Sequence, residues 1–372
     1  MRSEEDLIRT LRTAAGHAAP EPALAAAVAA RRRARRRGQW LRMTLAAAAV
    51  VLVAGGTTAV LSHGGGQVRP AAETSRVWPE AVFTMPGEAA DGREYRPLGA
   101  ISPTEVLVSA VKPGEPDRLE SFDTTTGRFR TIGPMFRPAE RHYRFQDVKA
   151  GEKRIVWWGE TTYTGTGSWA NFWSVPRAGG EPESVATVNG ELARVDGFDL
   201  TGGHIVFSVE QGGVYRIPLP QGKPEKIEGT DGLHLRSWPL AAGYTSDGNQ
   251  NRVVNLVTGQ STEIAVPDGA RGLGCGAEWC AGVLGDGPFR QRPDGSDRRP
   301  LPAALSPLAS RGLLAGRFVL ARLSSGQVYA LYDTSSGKVV HLDGAEFDGD
   351  TPTIFSWRDG SEITVVNLLA VR

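Results

Sequence analysis

The stretch LESFDTTTGRFRTI at residues 119–132 places two short apolar runs on either side of a turn that ends in Gly127. VYALYDTSSGKVVHL at residues 328–342 repeats this arrangement around Gly337. Asp followed by Thr or Ser and then Gly is typical of a hairpin turn, because the carboxylate bonds to nearby backbone N–H groups and glycine accepts a positive φ. Both stretches are therefore predicted to be β-hairpins.

Four further stretches have the same form, at residues 172–186, 214–227, 253–266 and 289–301. The six turn glycines are Gly127, Gly179, Gly222, Gly259, Gly295 and Gly337, and they lie 52, 43, 37, 36 and 42 residues apart. A period of about 42 residues is typical of the four-stranded blade of a β-propeller. The repeat therefore predicts an array of blades.

Apolar runs between the hairpins supply the inner strands that each blade also needs, at residues 104–111, 153–159, 203–209, 239–245, 278–284, 316–323 and 362–371. There are seven apolar runs but six hairpins, so one blade lacks part of its strands. An N-terminal segment, residues 76–98, could complete this last blade and leave no open sheet edge. We therefore predict an all-β fold, a seven-bladed β-propeller over residues 76–372. Six or eight blades also fit the spacing.

The run at residues 153–159 indicates burial on both faces of a strand. Alternation sends Ile155 and Trp157 to one side and Val156 and Trp158 to the other, so both faces are apolar, as stacked blades require. A β-sandwich would instead alternate apolar with polar residues. The 46 Gly and 24 Pro disfavour a helical domain.

The N-terminal part differs from the rest in composition. Residues 1–42 carry ten Arg and four acidic residues, a net charge of +6, and short apolar patterns that predict a helical tail. Residues 43–62 carry no charged side chain and would reach about 30 Å as a helix, which predicts one transmembrane helix. Residues 63–75 are rich in small residues and are predicted to be a flexible spacer.

Positive charge next to a span stays in the cytoplasm, which sets the orientation. The orientation residues are Arg31, Arg32, Arg33, Arg35, Arg36, Arg37 and Arg42. They predict a single-pass protein of the cell membrane with a cytoplasmic N-terminus, an extracellular C-terminal domain and contact with membrane lipid. A buried helix, a cleaved signal peptide and a twin-arginine signal are the alternatives.

The chain has two cysteines, Cys275 and Cys280, in GCGAEWC. Four intervening residues can form a tight hairpin turn that brings the thiols opposite each other, and outside the cytoplasm such a pair is predicted to form a disulfide. A zinc half-site would need two more ligands, which the sequence does not offer.

The basic tail, span, spacer and blade motifs resemble the WD40-like and TolB-like propellers that actinobacteria anchor in their membranes. The resemblance covers nearly the whole chain, with turns such as residues 123–127 and 333–337 as its motifs. It implies architecture and no chemistry. The layout is also similar to membrane-bound anti-sigma factors, which implies a cytoplasmic sigma factor as a partner of the tail.

No catalytic motif, dinucleotide fingerprint, P-loop or metal-binding motif occurs, so no catalytic residue, cofactor or metal is predicted. Residues 247–251 resemble the first half of a calcium loop, but Arg252 stands where the turn glycine belongs, and a hairpin turn is favoured. Trp158, Trp169 and Trp173 are the candidate binding surface for a glycan or peptide, with packing inside a blade as the alternative.

These observations favour a membrane-tethered extracytoplasmic propeller that is a non-enzymatic binding module for a protein, peptide or glycan, with no nucleic acid partner. Transmembrane signalling through the tail is the first alternative. A propeller hydrolase or lyase is the second, because propeller enzymes can assemble a site from separated residues.

Overall fold

The structure is a computed structural model that describes residues 70–113, 117–135, 143–163, 167–308, 313–323, 328–347 and 352–372. These residues belong to a compact unit that begins at Gly66. The predicted tail, the predicted span and all seven orientation arginines lie outside them. No helix in the described ranges is long and apolar enough to cross a membrane.

The described residues form mainly β-strands, and the strand bounds in chain order are β1 Val82–Pro86, β2 Glu94–Ser102, β3 Glu105–Val111, β4 Asp117–Asp123, β5 Arg128–Met135, β6 Tyr143–Ala150, β7 Arg154–Tyr163, β8 Gly167–Pro176, β9 Glu183–Asn189, β10 Val195–Thr201, β11 His204–Val209, β12 Val214–Pro218, β13 Glu225–Lys226, β14 His234–Ser237, β15 Leu240–Tyr244, β16 Gln250–Asn255, β17 Ser261–Glu263, β18 Ala270–Cys275, β19 Cys280–Leu284, β20 Gly287–Gln291, β21 Arg299–Pro300, β22 Leu305–Pro307, β23 Leu313–Leu314, β24 Phe318–Leu323, β25 Tyr329–Asp333, β26 Val339–His341, β27 Ile354–Asp359 and β28 Glu362–Asn367. One α-helix, α1 Pro70–Val77, precedes them, and 3-10 turns occur at Pro79–Ala81, Gly190–Ala193 and Leu368–Ala370.

The strands form seven antiparallel sheets, and each is a blade. Blades 1 to 5 are the consecutive groups β2 to β5, β6 to β9, β10 to β13, β14 to β17 and β18 to β21. Blade 6 has the order β22, β24, β25, β26, with β23 also paired to β24. Blade 7 has β27 and β28, followed by β1. The all-β, seven-bladed fold is confirmed.

Blade 7 closes the ring by joining the two ends of the described chain. β1 runs antiparallel to β28, with Val82 opposite Val366 and Pro86 opposite Glu362. An isolated bridge between Glu346 and Ser356 occupies the place of the first strand of this blade. The predicted closure by the N-terminal segment is therefore confirmed for β1, which covers an edge that would otherwise be open to another chain. Residues 94–98 of the predicted segment belong instead to β2 of blade 1.

The core lies between blades. Seven clusters of buried apolar side chains occur in the described residues, one at each junction between neighbouring blades. Blade 2 shows the pattern: Ile155 and Trp157 pack toward blade 1, whereas Val156 and Trp158 pack toward blade 3. The predicted burial of both faces is confirmed.

Six of the seven predicted apolar runs contain the second strand of a blade. The seventh, residues 362–371, differs because it contains β28, the third strand of blade 7. The second strand of that blade is β27, whose polar end Arg358 and Asp359 hid it from an apolar search. The first strands of the blades were not identified from the sequence at all.

The repeated turn motif has the predicted chemistry. Asp123 Oδ1 accepts hydrogen bonds from the N–H groups of Thr125 and Thr126 at 2.8 and 3.2 Å, and Gly127 has a φ of 67°. In blade 6, Asp333 accepts the same kind of bond from Ser335 N–H at 3.0 Å. Two bonds from Arg317 at 2.7 and 2.8 Å also reach Asp333, which is fully buried. Burial would raise the pKa of Asp333, but the hydrogen bonds from Arg317, Ser336 and Ser335 outweigh burial and lower it.

The predicted spacer is wrong for residues 70–75, because these residues are part of α1. Thr74 is fully buried, and the Glu73 carboxylate lies 3.3 Å from Nδ1 of His341 at the outer strand β26. The hydrogen bond to Glu73 raises the pKa of His341, although burial opposes this shift. Small residues favour a flexible chain only where no surface is available for packing, and here α1 packs near the edge of blade 6.

Trp78 tests whether this N-terminal segment is an integral part of the propeller. Its side chain is 2% exposed, and its ring meets that of Phe318 at 5.4 Å edge to face. We expect Trp78→Ala to lower the free energy of unfolding by about 3 to 5 kcal/mol, because it leaves a cavity between blades 6 and 7. Urea unfolding followed by far-UV circular dichroism measures the change.

Val257→Ala is the control, since Val257 is 66% exposed and its truncation should change stability by less than about 0.5 kcal/mol. Equal stability of the two variants would mean that Trp78 does not pack as described.

Candidate functional site

One end of the propeller carries the beginnings of the first strands of blades 1 to 6. Strands alternate in direction within each blade, so every first strand of blades 1 to 6 starts at the same end. First strands of neighbouring blades also contact each other, as β2 does β6 and β10 does β14. We call this end the mouth face, and it surrounds one opening of the central channel.

Four arginines lie within the first three residues of first strands and form what we call the arginine arc. They are Arg96 on β2, Arg144 on β6, Arg236 on β14 and Arg271 on β18. Arg96, Arg144 and Arg271 are exposed, and Arg236 is half-buried. Blades 1, 2, 4 and 5 thus each present a guanidinium group at the mouth face.

The members of the arc differ in their partners. Arg236 donates a hydrogen bond to the Tyr244 hydroxyl at 3.1 Å, and Arg271 donates one to the Gly285 carbonyl at 2.8 Å. The guanidinium groups of Arg96 and Arg144 make no hydrogen bond or ion pair with any residue in the described ranges. Both therefore keep all five donors for water or a ligand.

Blade 3 places an acid in the gap of the arc, and this acid is already bonded. Asp196 accepts a hydrogen bond from the Ser208 hydroxyl at 2.6 Å, and its other oxygen lies 2.5 Å from Nδ1 of His234. Leu235 N–H in turn donates to the Ser208 hydroxyl at 2.8 Å. Asp196 therefore links blade 3 to the first strand of blade 4.

The cluster contains the residue types of a nucleophilic triad, namely Ser208, Asp196 and His234. Their hydrogen bonds are arranged in a different order from those of a triad. A triad needs imidazole between hydroxyl and carboxylate so that it can take the hydroxyl proton. Here the carboxylate lies in the middle, and Ser208 is fully buried. The arrangement positions side chains and does not activate Ser208.

Two cavities open at the mouth face. One, of about 560 Å³, lies between blades 7 and 1 and is lined by Glu94, Arg96, Glu346, Phe347 and Arg358 among others. Another, of about 770 Å³, lies between blades 4 and 5 beside Arg271 and three carboxylates, those of Asp247, Asp268 and Asp286. Volumes of this size suit small molecules or a few units of a polymer.

The opposite end of the propeller, where the first strands end, has a smaller cavity than those at the mouth face. A cavity of about 100 Å³ is lined there by Asp147, Lys149 and Asp199 among others. Lys149 Nζ lies 3.0 Å from Asp147, and Trp238 N–H donates to Asp199 at 2.6 Å. Burial raises the pKa of Asp147, against the opposing effect of Lys149. These acids already have partners within the protein.

The predicted tryptophan surface is not one surface in the structure. Trp158, 8% exposed, packs between blades 2 and 3, whereas Trp173 packs between blades 1 and 2. The two therefore lie on opposite faces of blade 2, and Trp169 is half-buried on β8. A binding role for the three stays a prediction, and packing within the propeller accounts for Trp158 and Trp173.

The predicted disulfide is confirmed. Cys275 and Cys280 are paired at the end of the β18 and β19 hairpin, with Cα atoms 3.9 Å apart. The turn they close contains Trp279, and the guanidinium carbons of Arg290 and Arg292 lie 4.3 and 4.1 Å from the centre of its ring. The covalent bond and these cation–π contacts hold the same turn.

The calcium-like stretch at residues 247–251 forms the turn between β15 and β16 and the start of β16. Gly248 N–H donates to the Thr245 carbonyl, and both polar groups of the Asn249 side chain bond to the backbone of blade 5. Among the described residues no group of His, Cys, Asp and Glu has the arrangement of a metal site. The predicted hairpin turn is confirmed.

The fold and site together define a seven-bladed β-propeller with a charged mouth face. No protein-family model matches the sequence. None of the curated proteins matches it either.

Solved structures of similar fold include TolB from Acinetobacter baumannii, with 14% identity and a TM-score of 0.38 over 82% of this chain and 81% of TolB. BamB from Moraxella catarrhalis has 12% identity and a TM-score of 0.35 over 71% of this chain and 82% of BamB. An oligogalacturonate lyase from Vibrio parahaemolyticus has 10% identity and a TM-score of 0.44 over 78% of this chain and 92% of the lyase. Values this low support no statement about activity or partners.

Removal of the disulfide should have a limited and measurable effect on stability. Replacing both Cys275 and Cys280 with Ala should lower the free energy of unfolding by about 2 kcal/mol, because the bond closes a ring of only six residues. Urea unfolding with and without dithiothreitol measures the change. Dithiothreitol should destabilise the natural chain by a similar amount and leave the variant unaffected; equal sensitivity of the two proteins would contradict a structural disulfide.

Proposed function

We propose that the chain is a membrane-tethered, extracytoplasmic β-propeller that acts as a non-enzymatic binding module and holds a protein, peptide or glycan at its mouth face. The observation that carries the proposal is the pair Arg96 and Arg144. These are exposed guanidinium groups on neighbouring first strands, and no residue of the described ranges satisfies them. Charged donors of this kind at a concave surface favour recognition of an acceptor-rich ligand.

The sequence supports the tether. Residues 43–62 have the length and composition of a span, and the arginines before it favour a cytoplasmic N-terminus. The Cys275–Cys280 disulfide supports an oxidising compartment for the propeller. A propeller outside the cytoplasm would be accessible to ligands of the cell envelope.

The geometry around Asp196 supports binding rather than catalysis. The imidazole of His234 and the hydroxyl of Ser208 both bond to the carboxylate, so neither is arranged to generate a nucleophile. The fold supplies rigid first strands, and the ligand would be recognised by their side chains.

The orientation can be tested with a single thiol. In a chain with Cys275→Ser and Cys280→Ser, Ser75→Cys places a thiol at an exposed position of α1. We expect an impermeant maleimide to label it in intact cells, because the propeller would lie outside. Ser3→Cys in the same background is the control and should react only after lysis. Labelling of Ser75→Cys only after lysis would contradict the extracytoplasmic location.

The mouth face can be tested by photocrosslinking in living cells. A photoreactive residue in place of Glu94, which is exposed on β2 beside Arg96, should form an adduct with an envelope component. The same residue in place of Thr258, in an exposed turn at the other end of the propeller, should not. The adduct would be identified by mass spectrometry. Equal adducts from both positions, or none from Glu94, would refute binding at the mouth face.

A further inference from the structure

In the described residues, blade 7 lacks the regular first strand that the other six blades have. In blades 1 to 6 a first strand of three to nine residues pairs with the second strand. In blade 7 the corresponding place holds the isolated bridge between Glu346 and Ser356, whose backbone groups exchange bonds of 2.7 and 2.9 Å. The inner edge of β27 therefore has no continuous partner strand in this part of the chain.

The mouth end of this edge presents the backbone groups of Arg358. Backbone groups alternate between the two edges of a strand, and those of Ser356 point to the inner edge, so those of Arg358 point there too. The residue in register with Arg358 is Gly344, which lies in a turn with a φ of 70°. No described residue bonds to the backbone N–H or C=O of Arg358 on this edge. A donor and an acceptor are thus open, as at the edge of an unpaired strand.

These open groups adjoin the cavity of about 560 Å³ between blades 7 and 1. Ser356 and Arg358 line this cavity from β27, and Glu94 and Arg96 line it from β2. Arg358 is exposed and lies at the end of β27 that reaches the mouth face. A cavity of this size has room for a few residues of an extended peptide.

Resting on the proposed function, we infer that the ligand is an extended peptide that adds to the inner edge of β27 and bonds through its backbone to the N–H and C=O of Arg358. Strand addition of this kind takes its affinity from main-chain bonds and its specificity from side-chain contacts. One peptide residue opposite Arg358 would exchange two bonds with it, as Glu346 does with Ser356. A polysaccharide has no amide N–H and C=O repeated at the spacing of a strand, so the open edge favours a peptide.

The charges in the cavity indicate which side chains the peptide carries. The side chains of Glu94, Arg96 and Glu346 make no hydrogen bond or ion pair with a described residue. The guanidinium group of Arg358 instead donates to two backbone carbonyl groups, at 3.2 and 2.8 Å. The available groups are therefore two carboxylates and one guanidinium. They favour a peptide that carries both basic and acidic side chains, because a peptide of one sign would face like charge.

The experiment selects binders from a phage-displayed library of random hexapeptides on the full chain in detergent. We expect enriched sequences that contain a basic and an acidic residue and that bind saturably as synthetic peptides. Methylation of the backbone nitrogen that donates to the Arg358 carbonyl should weaken binding about tenfold or more. Methylation of the next nitrogen should have less effect, since neighbouring residues of a strand turn their backbone groups to opposite edges. Fluorescence polarisation of labelled peptides measures the change.

Two substitutions at position 358 separate the backbone contact from the side-chain contact. Arg358→Ala removes the guanidinium group and keeps the backbone N–H, whereas Arg358→Pro removes both. Proline is tolerated where the N–H of a strand has no partner in the sheet. We expect Arg358→Pro to bind the selected peptide about tenfold more weakly than Arg358→Ala, because one more hydrogen bond is lost. Thermal unfolding shows whether both variants fold; if Arg358→Pro does not, the methylated peptides decide.

The charged contacts are tested with Arg96→Gln and Glu346→Gln, each of which should weaken binding of the selected peptide severalfold. Arg128→Gln is the matched control, because Arg128 is an exposed arginine with no partner among the described residues and lies on the outermost strand β5. It should bind the peptide as the natural chain does. Equal losses in Arg96→Gln and Arg128→Gln would contradict a peptide site in this cavity.

Failure to enrich any hexapeptide, or an enriched peptide that tolerates methylation of every backbone nitrogen, would overturn the inference. Equal binding by folded Arg358→Ala and Arg358→Pro would overturn it as well. A crosslink from position 94 without an enriched peptide would refute strand addition and leave the proposed function standing. Absence of both would refute the proposed function too.

Discussion

Apolar packing between neighbouring blades is the interaction on which the rest of the structure depends. Each sheet buries both faces, and the seven clusters of buried side chains lie at the seven junctions rather than within one central core. A row of such sheets would leave one apolar face open at each end. Closing the ring buries both of these apolar faces against each other. This explains why β1 pairs with β28 and why Met85 of blade 7 packs in one cluster with Tyr95 of blade 1.

The burial of sheet faces between blades also decides where polar side chains that could bind a ligand can be placed. The second and third strands are flanked by sheets on both sides, so their side chains are committed to packing, as Trp157 and Phe207 are. First strands have one neighbour in the sheet and the channel on the other side. Polar residues such as Arg144 and Asp196 can therefore be placed there at little cost to the core, and charge collects around the opening.

Much of the fold was predictable because its strongest signals are local. The turn from Asp123 to Gly127 and the apolar run at residues 153–159 each specify their structure within a few residues. First strands were missed because they are short or mixed in character: β14 has four residues with one buried side chain and a register irregularity against β15. The arginine arc was missed with them, although each arginine precedes the apolar run of its blade. The helix α1 was missed because its burial depends on a distant strand, β26.

Arg96 and Arg144 differ from several other arginines of the described ranges, whose guanidinium groups are paired. Arg317 makes two bonds to a buried Asp333, and Arg118 lies between Asp91 and Glu120. Those arginines fasten a turn and the closing connection of the ring. Arg144 lies opposite Glu160 across the strand pair, yet no ion pair forms between them. Arg96 and Arg144 thus add no ion pair or side-chain hydrogen bond to the described part of the fold, which leaves their donors free for the binding role proposed above.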